Sequence, residues 1–255
     1  MLVLTKNIIK EIRALEQRKA RREQQAWLVE GNKSVGDLLA SDSFCCLRLV
    51  ATEKWWQENP QAVAKECFLA SRSEIERTSL LPSPQDVLAV FALPQEQVIE
   101  QADANSLSLV LDEVQDPGNM GTIIRTADWF GVRHIYCSPG TADCFSPKVV
   151  QATMSALARV NVHYFSQKEA MQDWLNSFKG PKYGTFLDGN NIYQSELSAK
   201  GLLIMGNEGR GISEEISQCI THKVLIPDFA PDGKHVESLN VSVATAICLS
   251  ELRRR

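Results

Sequence analysis

Residues 202–213 read Leu-Leu-Ile-Met-Gly-Asn-Glu-Gly-Arg-Gly-Ile-Ser, an apolar run that passes directly into a turn carrying Gly206, Gly209 and Gly211. An apolar run without polar alternation suits a strand buried on both faces, and the glycines let the backbone turn sharply and approach a ligand closely. The spacing is neither GxGxxG nor GxxxxGK[ST], and no lysine stands where a triphosphate is gripped. Glu208 occupies the turn instead, and a carboxylate there suits a cation such as a sulfonium. Ser213, followed by Glu214 and Glu215, reads as a capped helix start.

Apolar runs of the same kind lie at 107–111, 134–137, 160–164, 183–187 and 223–226, separated by segments suited to helices. Short strands alternating with helices imply a parallel sheet covered on both faces, with ligands collecting at the carboxyl ends of its strands. Two more loops therefore draw attention. In LDEVQDPGNMGTIIRTAD, residues 111–128, a strand ends in a turn at Pro117-Gly118 and a helix is expected from near Asn119, its N-cap, to a stop at Gly131. Ile123, Ile124, Ala127 and Phe130 form its core face, and Gly121 and Arg125, four residues apart, share a side away from that stripe. Arg125 reads either as a solvated arginine or as a guanidinium beside a strand-end cleft, suited to phosphate. In IPDFAPDGKHVESLNVSVA, residues 226–244, a polar loop leads to a helix with Val241, Ala244, Cys248 and Leu252 on its apolar face, Ser238 as N-cap and Asn240 in its first turn.

A chain of 255 residues favours two domains. Residues 1–95 read as a small α/β domain, with strands at 26–30, 46–51 and 87–93 and helices at 34–40 and 60–70; residues 96–106 read as a linker and 107–255 as a second domain. A hydrophobic content of 44% and a charged content of 23% are those of a globular protein. The net charge of −4 lacks the basic footprint of a nucleic-acid binder, so such contact must come from local patches. One patch is Lys6, Lys10, Arg13, Arg18, Lys19, Arg21 and Arg22; its alternative reading is the solvated side of an amphipathic segment with Ile8, Ile12 and Leu15 buried and Glu11 and Glu16 as partners. The seven cysteines follow no metal-ligand spacing and are odd in number, which points to reduced thiols and no metal. No apolar run approaches the ~18–20 residues that span a bilayer, and the first stretch is too short for a signal peptide, so a cytoplasmic location is expected.

Taken together, NxGxxxR at 119–125, GNEGxG at 206–211 and SLNVSVA at 238–244 resemble, in that order, the three motifs of the SpoU/TrmH family of RNA 2'-O-ribose methyltransferases. The resemblance covers residues 107–252. LVEGNK at 28–33 and PQDVLAVF at 84–91 are similar to the family's substrate-binding domain, whose fold is that of a kink-turn-binding ribosomal protein. The resemblance implies a deep trefoil knot in the C-terminal sheet, S-adenosyl-L-methionine as cofactor, and a homodimer formed through the C-terminal domain. It further implies methyl transfer to RNA, ribosomal (23S) rather than transfer RNA by analogy. Asn119, Arg125, Glu208, Ser238 and Asn240 would form the reactive site, and Gly206, Asn207, Gly211, Ile226 and Leu239 would bind the cofactor. Two departures stand out: the loop 228–237 is long, and Gln151 and Ser155 replace an arginine and a glycine usual in the helix after Pro147. The alternatives are transfer RNA as substrate, or a non-catalytic RNA-binding member of the fold. A nicotinamide-dependent oxidoreductase is disfavoured by the missing GxGxxG.

Overall fold

The computed structural model describes residues 1–41, 43–95, 98–230 and 236–254. The chain divides into two units, Met1–Gln97 with Asp143–Arg159 and Val98–Ala142 with Val160–Arg255.

In the first unit the elements are β1 (Leu2–Val3), α1 (Lys6–Ala14), α2 (Arg18–Gln24), β2 (Ala26–Glu30), α3 (Asn32–Leu39), β3 (Cys46–Ala51), α4 (Glu53–Glu58), β4 (Glu66–Leu69), α5 (Arg72–Thr78) and β5 (Val87–Ala92). They build a mixed sheet of order β1-β4-β3-β5-β2, parallel around β4 and antiparallel around β5. Ile12 and Leu15 are fully buried beneath it with Leu28, Val50, Phe68 and Leu88, as the amphipathic pattern of the first helices requires. Each such side chain contributes about 1.5–3 kcal/mol of burial.

The helix expected over 60–70 is not formed. Residues 66–69 are strand β4, hydrogen-bonded to β1 on one side and β3 on the other, with Phe68 carried into the core. The local helix is α4, which Thr52 caps by accepting the Trp55 amide at 3.4 Å. The basic patch also needs correction. Arg21 is only 3% exposed: its guanidinium donates to the Leu15 and Glu16 carbonyls at 2.8 Å each and pairs with Asp143 at 2.7 Å. Arg13 donates to the carbonyls of Ser79 at 2.5 Å and Arg77 at 3.2 Å. Lys6, Lys10, Arg13, Arg18, Lys19 and Arg22 remain on the surface.

The chain continues through β6 (Leu107–Leu111), α6 (Pro117–Trp129) and β7 (His134–Cys137); α7 (Pro147–Thr153) and a 3-10 turn at Ala156–Ala158 then belong to the first unit. There follow β8 (Asn161–Tyr164), α8 (Lys168–Ser177), β9 (Lys182–Asn191), β10 (Gly201–Met205), α9 (Glu214–Ser217), β11 (His222–Leu225) and α10 (Val241–Arg253). The second sheet runs β11-β9-β10-β6-β7-β8 and every pairing in it is parallel. β6 and β10 are buried along their whole length, and their ends lie side by side, Leu111 opposite Met205. From β6 the chain builds outward through β7 and β8, then returns to place β10 on the other flank. That reversal opens a crevice at the carboxyl ends of β6 and β10, the place where open α/β sheets bind ligands.

The described part of the expected linker, 98–106, has no regular secondary structure, yet Ala102 joins the second core beside Trp174, with Ile99 and Ala104 packed on it. Residues 96 and 97 lie outside the described residues. All seven cysteines carry free thiols, and burial pushes those of Cys46 and Cys248 up to about 12. Among the described residues no helix is long and apolar enough to cross a membrane, and no group of three or more His, Cys, Asp or Glu could hold a metal ion.

Candidate active site

The crevice is walled by three loops, and the way each starts its helix decides which side chains face it. At α6 the N-cap is Asp116, not Asn119: its Oδ1 accepts the Asn119 amide at 2.9 Å, and Pro117 takes the first helical position, where a missing N–H costs nothing. Asn119 is thereby released from capping. Its Nδ2 donates to Glu208 Oε1 at 2.9 Å and its Oδ1 accepts from Asn240 Nδ2 at 2.9 Å.

At α10 the N-cap is Asn240, not Ser238. Asn240 Oδ1 accepts the amides of Ser242 at 2.9 Å and Val243 at 3.4 Å, which leaves its amide nitrogen for Asn119. One hydrogen-bonded chain, Asn240 to Asn119 to Glu208, thus ties together three segments that are remote in sequence.

Glu208 also accepts the main-chain amides of Asp116 at 3.1 Å and Gln115 at 3.3 Å. Burial pushes its carboxyl upward, but the Asn119 amide and the main-chain N–H groups of Glu208, Asp116 and Gln115 outweigh that and hold it below the usual carboxylate range. It is ionised at neutral pH, and no cation pairs with it among the described residues.

The turn that carries Glu208 is closed on itself. Asn207 and Gly211 exchange two backbone hydrogen bonds of 2.9 Å, and Asn207 Oδ1 accepts the amides of Gly209 at 3.0 Å and Arg210 at 3.1 Å. Gly206 admits no side chain, since a Cβ there would lie 2.2 Å from Gly211 C and Ile212 N.

Other residues singled out from the sequence lie outside this network. Arg125 is exposed on α6 and has no hydrogen-bond or ion-pair partner among the described residues, while Gly121, expected on the same outward side, is buried. Ser238 is exposed, Leu239 is 47% exposed, and Ile226 is half-buried just beyond β11. Of the long loop 228–237, residues 231–235 lie outside the described residues. Asp116, Gln115 and Glu113 escaped the sequence reading; for Asp116 the signal was present, because a capping residue directly before proline marks a helix start.

A family model described as SpoU rRNA Methylase family matches residues 106–250, the stretch that holds all three loops. The chain belongs to the SpoU family. A second model, described as MRM3-like substrate binding domain, matches residues 6–89 of this SpoU-family chain. It is 30% identical over 249 residues to the 23S rRNA (guanosine(2553)-2'-O)-methyltransferase RlmP of Bacillus subtilis (strain 168), covering 96% of this chain and 95% of that one. Among solved structures it is similar to a putative RNA methyltransferase of the TrmH family from Porphyromonas gingivalis, 44% identical with a TM-score of 0.88 and 98% of both chains covered. It is also similar to the AdoMet-bound rRNA methyltransferase from Sinorhizobium meliloti, 28% identical with a TM-score of 0.85, covering 99% of this chain and 97% of that one.

Proposed function

We propose that this SpoU-family protein transfers the methyl group of S-adenosylmethionine to a ribose 2'-hydroxyl of RNA, with large-subunit ribosomal RNA as the substrate class. The observation that carries the reading is the side-chain chain Asn240–Asn119–Glu208, which gathers the three motif loops at the crevice between β6 and β10. The relatives support the substrate and cofactor: one is named for 2'-O-methylation of 23S rRNA, another is AdoMet-bound.

The residues fit that cofactor. Glu208 is an ionised carboxylate with no cation paired to it among the described residues, which suits a positively charged sulfur. Gly206, Asn207, Gly211, Ile226 and Leu239 would hold the cofactor chiefly through main-chain groups, with the exposed apolar side chain of Leu239 beside them. When bound, the cofactor supplies an electrophilic methyl group. Arg125 presents a planar fork of donors that no other described residue takes up, suited to clamp the target nucleotide's phosphate and to stabilise the alkoxide that develops on the ribose. A guanidinium offers donors and no acceptor, so electrostatic stabilisation is its primary task. Asn119, Glu208 and Asn240 hold the loops in register, with Ser238 at the rim. Such positioning is worth about 7–11 kcal/mol in favourable cases.

The reading extends to a deep trefoil knot, supported by the packing of α10 against both α6 and β10. It extends to a homodimer as well. Trp129 at the end of α6 is 86% exposed, an apolar group that a second copy would cover. Lys6, Lys10, Arg18, Lys19 and Arg22 are basic surface groups suited to contact RNA phosphates, and the cytoplasm is the proposed location. The test is calorimetry with S-adenosylhomocysteine together with methyl transfer to unmodified ribosomal RNA. Wild type should bind and turn over, and Arg125→Ala should bind as tightly while its turnover falls by about 100- to 1,000-fold. Joint loss of binding and turnover in that variant would assign Arg125 to the fold instead.

A further inference from the structure

Glu113 follows the carboxyl end of β6 with φ at +56°, a left-handed conformation disfavoured for a residue carrying a Cβ. Glycine or asparagine would adopt it more readily. What glutamate provides here is a carboxylate tie that neither could make, beside main-chain ties that any residue would keep. Its carboxylate accepts Lys168 Nζ of α8 at 2.7 Å and pairs with the guanidinium of Arg210. Its amide donates to Ser138 Oγ at 2.9 Å, and its carbonyl accepts Asn207 Nδ2 at 2.8 Å.

We infer that Glu113 is a positioning residue for cofactor binding, gripping the 206–211 turn at two points, Arg210 through its carboxylate and Asn207 through its carbonyl. The inference rests on the methyltransferase reading. Asn207 in turn gathers the amides of Gly209 and Arg210, so the grip fixes the main chain on either side of Glu208. Glu208 then meets Asn119 and the Gln115 and Asp116 amides in the register described above. The Glu113 and Lys168 side chains are 22% and 25% exposed, which shelters that half of the bridge from solvent, whereas Arg210 is 69% exposed and loses reach once its carboxylate partner is removed.

The test uses the full-length protein with Glu113→Gly, Glu113→Asn, Glu113→Gln and Arg210→Gln, read by calorimetry with S-adenosylhomocysteine and by thermal melting. Glu113→Gly and Glu113→Asn relieve the left-handed backbone while removing the bridge. They should melt no lower than Glu113→Gln yet bind about tenfold more weakly than wild type. With saturating cofactor the turnover number should recover, placing the defect in the KM for S-adenosylmethionine. Glu113→Gln and Arg210→Gln should each weaken binding, and the double variant should be no weaker than the worse single one. Unchanged affinity in the Glu113 variants, or additive losses in the double variant, overturns the inference while leaving the methyltransferase reading intact. Failure of wild type to bind S-adenosylhomocysteine overturns both.

Discussion

Asn119→Asp is the most informative single change, because it alters one atom at the centre of the network. The variant keeps the oxygen that accepts from Asn240 but replaces the amide nitrogen that donates to Glu208 at 2.9 Å with a second carboxylate oxygen. Loss of a hydrogen bond to a charged acceptor costs about 1.5–3 kcal/mol. Two unit charges about 3 Å apart repel by ~1.4 kcal/mol in bulk water and by ~5.5 kcal/mol at an effective permittivity of 20. Glu208 is exposed, so the lower figure applies and the total comes to about 3–4 kcal/mol. The turn can escape this cost by opening, and if it must be closed for binding the apparent Kd for S-adenosylhomocysteine rises by up to about 1,000-fold.

The sign of the pH dependence identifies the cause. In wild type the carboxyl of Glu208 is depressed, so its contribution is present above the unfolded value and is lost only as pH falls through the depressed one. In Asn119→Asp the carboxylate pair takes up its first proton above the ordinary carboxylate range, and a shared proton restores the missing hydrogen bond. The variant's defect should therefore shrink as pH is lowered from 8 toward about 5, whereas the defect of Asn119→Ala should not. Calorimetric titrations at both ends of that range give the answer. Wild-type affinity in Asn119→Asp at pH 8, or a defect equal at both ends, refutes the role assigned to the network.

Three further outcomes follow from the same geometry. Arg125→Ala should lower the methyl-transfer rate by about 100- to 1,000-fold, the effect of removing one transition-state donor, with cofactor affinity and melting temperature unchanged. Gly206→Ala places a Cβ against backbone atoms that cannot swing aside, so it should destabilise the fold by about 1–3 kcal/mol in urea titrations and abolish S-adenosylhomocysteine binding. Glu30 is an acid raised by burial, against the lowering effects of Ser79, the Leu80 amide and Arg13; the native state holds its proton more tightly than the unfolded chain, and its contribution falls as pH rises through the raised value. The stability of Glu30→Gln relative to wild type should accordingly increase from about pH 4.5 to 7 in urea unfolding.

Strands whose side chains are buried on both faces were the most legible elements. Leu107–Leu111, His134–Cys137 and Ala26–Glu30 lie where their apolar runs place them, because a continuous run of that length admits little else in an alternating α/β chain. β4 was misread since its four residues include Glu66 and Cys67 and show no period; pairing with β1 and β3 supplies what local pattern lacks. Helix starts were misplaced by a few residues at both α6 and α10. Several capping residues stand in a row in each loop, and tertiary hydrogen bonds choose among them. Each error bears on the site, because a capping Asn119 would have no side-chain oxygen left to accept from Asn240. Arg21 was read as surface because charge alone does not show a guanidinium turned inward onto Leu15, Glu16 and Asp143. The left-handed Glu113 carried no sequence signal, as its two cationic partners lie 55 and 97 positions away.

The most direct measurement is nucleoside mass spectrometry of unmodified 23S ribosomal RNA after incubation with the protein and isotopically labelled S-adenosylmethionine. The label should be recovered on a ribose oxygen, as a 2'-O-methyl nucleoside, with wild type and not with Arg125→Ala. Label recovered on a base, or none at all from a protein that binds S-adenosylhomocysteine, contradicts the account.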